Sequence, residues 1–125
     1  MIEYTSLYIS RRLAKAGFKK ENAGHGLIGY PCDAIYNGRY KWELDTSCVE
    51  WFSNAELPEA PAYRSGTLLS WLLSHGDGIE ITPDIDGFNV TYWVKHEDYN
   101  GINIFLCNAL GEVILAVMAK EAKHD

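Results

Sequence analysis

Near the N-terminus Ile9, Leu13 and Ala16 recur at i, i+4 and i+7, while Arg11 and Lys15 fall one turn apart on another face. That spacing predicts a helix with one dry side and one wet side. Thr5 or Ser6 stands where a hydroxyl caps the first turn, and Gly17 where a left-handed residue ends the last. Phe18, just beyond, is placed to fold back onto Leu13.

Residues 19–33 hold Gly24, Gly26, Gly29 and Pro31, too much glycine for a helix, with Leu27, Ile28 and Tyr30 left for a short strand. The run from Ala34 to Trp42 sets Asn37-Gly38 between strand-like arms. This dipeptide best supplies two positive φ angles, so a β-hairpin is expected. On its second arm Tyr40 and Trp42 share one face, opposite Arg39, Lys41 and Glu43. Asp45 to Phe52 fits neither period, and Asn54 to Pro61, with Pro58 and Pro61, predicts an irregular connector.

The second half is more regular. Leu68, Leu69 and Leu72 form a helical stripe widened by Trp71 and Leu73, capped by Ser65 or Thr67 and stopped at Gly76. Ile79 to Thr82 alternates as a strand, Pro83 to Gly87 turns, and Phe88 to Lys95 returns with Phe88, Val90 and Tyr92 on one face. His96 to Gly101 reads as a polar turn and Ile102 to Leu106 as a third strand. Ala109 to Ala122 keeps helical spacing through Leu110, Val113, Ile114, Val117 and Met118, with a cap near Asn108. Lys120 and Lys123 sit where the helix dipole favours cations. Val113 to Ala119 is apolar nearly all round, so either two layers of the chain cover it or a second subunit does. The second alternative is a homodimer through Val113, Ile114, Val117 and Met118. The whole order predicts one α+β domain over residues 1–125, a small antiparallel β-sheet with packed helices, its C-terminal half ordered α-β-β-β-α.

Composition narrows the function classes. An apolar share of 47% and a charged share of 22% are those of a globular domain. No run approaches a membrane span, and no basic segment with an apolar core opens the chain, so a soluble, unsecreted protein is expected. Cys32, Cys48 and Cys107 are odd in number and lack ligand spacing, which fits a reducing cytoplasm and neither a disulfide framework nor a zinc site. Asn89-Val90-Thr91 matches a glycosylation sequon but reads as strand. A net charge of -6 disfavours nucleic acid as a partner. The local exception is Arg11, Arg12, Lys15, Lys19 and Lys20, a candidate anion-binding face more simply read as a solvated helix surface. Four Trp and eight Tyr exceed the usual share, and Trp42, Trp51, Trp71 and Trp93 are the candidate partner surface.

Catalytic chemistry is not suggested. His25, His75, His96 and His124 are dispersed, and His75 reads as a dipole partner at a helix end. Asp84, Asp86 and Gly87 resemble part of a calcium loop whose other ligands are missing, so turn chemistry explains them. Cys32 with His25, and Glu43, Asp45 and Glu50 beside Trp42 and Trp51, are proximities in sequence alone. No cofactor or metal is expected. The α-β-β-β-α order is that of double-stranded RNA binding domains, but the basic start of their last helix is replaced here by Asn108-Ala109-Leu110-Gly111-Glu112.

Tyr4-Thr5-Ser6-Leu7, Ile9 to Phe18, Pro58 and Pro61 before Leu68-Leu69-Ser70-Trp71-Leu72, and Asn108 to Glu112 together resemble a group of small proteins of unknown function encoded by phages and prophages of gut bacteria. The resemblance covers about half the chain through packing patterns, and it implies a setting, the cytoplasm of a bacterial host, without a mechanism. The leading expectation is a non-enzymatic accessory protein that binds a host or phage protein. The alternatives are a small nucleic-acid-binding regulator using the Arg11 to Lys20 face, and a small enzyme with an unrecognised site.

Overall fold

The hydroxyl of Ser6 accepts the Ile9 N–H at 3.3 Å and starts α1 (Leu7–Ala16), which Gly17 ends at φ 94°. The Phe18 N–H returns to the Leu13 carbonyl at 2.9 Å. Ile9 and Leu13 are buried as the spacing predicts, but Ala16 is exposed, because the reversal at Gly17 brings Phe18 into the core in its place. The computed structural model describes residues 4–19, 29–30, 35–36, 39–40 and 60–124.

β1 (Gly29–Tyr30) pairs antiparallel with β4 (Ala60–Pro61), and β2 (Ile35–Tyr36) with β3 (Arg39–Tyr40). Ile35 lies opposite Tyr40 and Tyr36 opposite Arg39, the register a two-residue Asn37-Gly38 connection requires. Residues 37–38, Leu27, Ile28 and 41–59 lie outside the described residues. Ala60 and Pro61, read from sequence as the end of an irregular connector, are strand. A proline without an N–H is tolerated in so short an edge pairing.

α2 (Ser65–His75) starts differently from its sequence reading: Arg64 is the N-cap residue and no side chain caps the helix. Entry is fixed instead by a bridge between Tyr4 and Arg64, whose guanidinium donates to the Tyr4 hydroxyl at 3.0 and 3.1 Å. Leu68 and Leu72 are buried, whereas Leu73 is 55% exposed and does not widen the stripe. Gly76 stops the helix in an extended conformation.

β5 (Gly78–Asp84), β6 (Gly87–Val94) and β7 (Glu97–Asn103) form an antiparallel sheet in sequence order. Val90 and Tyr92 are buried on its inner face, and Phe88 packs against them. β5 runs two residues past Thr82, so the first turn is Ile85-Asp86 alone. The third strand is also displaced from its sequence reading. The turn is Lys95-His96; Glu97 to Gly101, read as turn, belongs to the strand, while Ile104 to Leu106, read as strand, lies beyond its end at Asn103. Tyr99 and Gly101 face the helices while Asp98, Asn100 and Ile102 face solvent, so a wet outer face and a side-chain-free glycine hide the strand's alternation.

Lys95 and His96 hold φ angles of 51° and 65°, the geometry of a type I′ turn without the glycine or asparagine that favours it. The Lys95 N–H donates to the Asp77 carboxylate at 3.2 Å and helps hold the turn. Replacing Lys95-His96 by Asn-Gly should stabilise the fold by about 1 kcal/mol, readable as a raised Tm.

α3 (Leu106–His124) begins ahead of Asn108, the expected cap. Asn108 lies in its first turn, where Oδ1 accepts the Ser6 N–H at 2.9 Å and so serves the entry of α1. The helix runs through the core, against α1 and α2 as well as β6 and β7. Val113, Ile114, Leu115 and Val117 are buried inside the chain. Layers of one chain therefore cover these four residues, while Ala116 and Ala119 of the same run are exposed. Of the residues assigned to a homodimer face only Met118 remains partly exposed, so that face is not presented.

A buried polar knot ties the segment before α1 to the segment before α2. Thr5 Oγ1 and Ser10 Oγ lie 2.7 Å apart, Thr5 Oγ1 accepts the Tyr63 N–H at 3.1 Å, and the Thr5 N–H donates to the Tyr63 carbonyl at 2.9 Å. Burial pushes the Tyr63 hydroxyl up to about 12 from its ordinary value of 10.0. Tyrosine loses its proton to become charged, so below pH 10 both folded and unfolded states are neutral and stability is complete. Between pH 10 and 12 the unfolded chain releases the proton first, and stability falls as the pH rises. Denaturant titrations over that range should show this loss, and Tyr63→Phe should flatten it.

Candidate functional site

Of the four tryptophans, Trp42 and Trp51 lie outside the described residues, and the other two are half-buried on different layers. Trp71, on α2, stacks on the His75 ring with centroids 4.1 Å apart and meets the edge of Phe18 at 5.6 Å. His75 Nδ1 lies 2.8 Å from the Trp71 carbonyl. A carbonyl only accepts, so Nδ1 donates in this contact and helps close the last turn. Trp93 is on the outer face of β6, opposite Gly78 across the strand pair. Tyr92, its neighbour, points inward and donates to the Leu72 carbonyl of α2 at 2.6 Å. The sheet thus separates Trp93 from Trp71, and the two do not form one surface.

Arg11, Arg12, Lys15 and Lys19 are exposed, and Lys20 lies outside the described residues. The Arg12 guanidinium sits over the Tyr8 ring at 5.3 Å, a contact that packs one cation along the surface.

The sequence reading missed a cluster at the far end of the β5–β6 hairpin. Ile85 is 98% exposed at the turn, Ile104 67% and Phe105 53%, following β7. Pro83, Asp84, Ile85, Asp86, Phe88 and Ile104 line a shallow cleft of about 510 Å³. Asp84 Oδ1 accepts the Ile85 N–H at 2.7 Å, which sets the turn and leaves isoleucine at its tip. The signal was present in Pro83-Asp84-Ile85-Asp86-Gly87, since an isoleucine within a tight turn has no core to enter.

A second groove, of about 400 Å³, lies between β6–β7 and the end of α3, lined by Val94, Lys95, Glu97, Tyr99, Val117, Lys120 and Glu121. Lys120 pairs with Glu97, which also accepts the Tyr99 hydroxyl at 3.0 Å. Desolvation and then the Glu97 carboxylate raise Tyr99, and the Glu97 hydrogen bond raises Lys120, so each holds its proton more firmly. Such a trio is an ion-pair support and not a poised base, which would need its proton affinity brought toward neutrality. Among the described residues no group of three or more His, Cys, Asp or Glu is placed to hold a metal. Cys107 is buried, and Cys32, Cys48, His25, Glu43, Asp45 and Glu50 lie outside the described residues. No helix among the described residues is long and apolar enough to cross a membrane. Comparisons with protein-family models, with curated proteins and with solved structures found no match.

Proposed function

We propose that the chain is a non-enzymatic accessory protein that binds a host or phage protein in the bacterial cytoplasm, using the hairpin end as its contact surface. The observation that carries this reading is Ile85, almost fully exposed between two aspartates in a cleft that Ile104 also lines, with the exposed Phe105 next to Ile104 in sequence. Burying one isoleucine against a partner is worth roughly 1.5–3 kcal/mol, and a compact apolar centre with a polar rim is how such surfaces concentrate affinity. The phage and prophage setting rests on the sequence resemblance alone.

The test is capture from host lysate with wild-type protein and an Ile85→Ser/Ile104→Ser variant, washed at high salt. Both residues are exposed, so the variant should keep its Tm. A protein held by the wild type at high salt and lost by the variant supports the reading. Equal capture by both moves the contact elsewhere. Nucleic acid that elutes with salt and is lost on Arg11→Glu/Arg12→Glu replaces the reading by the regulator alternative.

A further inference from the structure

We propose that β7 pairs edge to edge and antiparallel with β7 of a second copy, about a two-fold axis at Asn100, making one six-stranded sheet. The order β5-β6-β7 leaves β7 at an edge, with no strand on its outer side among the described residues. The two-residue turn Lys95-His96 makes Val94 and Glu97 the hydrogen-bonded closing pair of the hairpin. Alternation then directs the N–H and C=O of Tyr99, Gly101 and Asn103 toward β6, and those of Asp98, Asn100 and Ile102 outward. The same three residues have exposed side chains, Ile102 at 67%.

The opposite edge does not offer the same row. Asp84 and Gly87 close the β5–β6 hairpin, so Ile79, Ile81 and Pro83 face outward on β5, and Pro83 has no N–H to give. The choice of edge is therefore set by backbone chemistry.

Charge sets the register. Full overlap of two β7 strands places Asp98 opposite Ile102 of the second copy and Asn100 opposite its own equivalent, with no like charges facing. A register centred on Asp98 would oppose two carboxylates, which is unfavourable for directly facing residues. The net charge of -6 per chain opposes association at long range, so pairing should strengthen as salt screens it.

Light scattering over a concentration series is the test. The expected mass rises from 14.1 kDa toward twice that value, more readily at moderate than at low salt. At fixed low salt, Asn100→Lys and Asn100→Asp each put like charges on the axis and should weaken self-association about fivefold. Ile102→Lys sets a cation opposite Asp98 and should preserve or strengthen it. Asn100→Pro, whose missing N–H is one that β6 does not use, should stay monomeric; should it fail to fold, the charge variants still decide. A monomer at every concentration overturns the proposal, as does equal weakening by Asn100→Lys and Ile102→Lys.

Discussion

Gly101→Ala should cost about 3 kcal/mol, while the same substitution at Gly66 should stabilise the protein by about 0.5–1 kcal/mol. An added Cβ at Gly101 would lie 2.3 Å from the Ala109 carbonyl oxygen and 2.9 Å from a Val113 methyl. The first of these is helix backbone, so relief requires α3 to move away from β7 as a body, and overpacking of that kind reaches the upper end of its usual 1–3 kcal/mol cost. At Gly66, in the exposed first turn of α2, nothing lies within 4 Å of the added atom, and alanine simply lowers the entropy lost on forming the helix. Gly111→Ala is the intermediate case. Its Cβ meets a methyl of Ile9 at 2.6 Å, a side-chain end that can yield, and the gain in helix propensity offsets part of the clash. Urea denaturation of the three variants should rank them Gly66 above wild type, Gly111 below it and Gly101 lowest. Equal effects at Gly66 and Gly101 would mean that α3 does not seat on β7 as closely as described.

Tyr63→Ala should be the more damaging change, at about 3–5 kcal/mol. The side chain is fully buried, its ring meets Phe18 edge-on at 4.9 Å, and its hydroxyl donates to the Lys19 carbonyl at 3.2 Å. Its backbone is tied to Thr5 in both directions. Truncation therefore removes a large apolar body, leaves Phe18 without its partner and opens a cavity beside the reversal at Gly17. Tyr63→Phe keeps the ring and should cost only about 1 kcal/mol near neutral pH, the value of one hydrogen bond. The gap between the two substitutions measures packing against hydrogen bonding at this site. Loss of the Phe18 contact should also raise hydrogen exchange at the end of α1 before the rest of the fold opens.

The sequence alone carried the elements whose signals are local. The cap at Ser6, the left-handed stop at Gly17, the inward Phe88, Val90 and Tyr92, and the helical spacing of Leu110 to Val117 each depend on residues within a turn or two of one another. They suffice for an α+β domain with its C-terminal α-β-β-β-α order. The features that needed the tertiary structure are those set by distant partners. Asn108 reads as a cap for its own helix and instead serves the entry of α1; α2 starts from a bridge to Tyr4 because Arg64 lies beside it in space. The polar segment from Glu97 to Asn100 becomes strand only because β6 supplies its hydrogen-bond partners. Val113, Ile114 and Val117 announce burial without saying by what, and the folded chain answers with its own sheet and helices. The candidate contact surface follows the same division. An isoleucine between two aspartates is visible in the sequence, but its proximity to Ile104 exists only once the turn and the end of β7 meet in space.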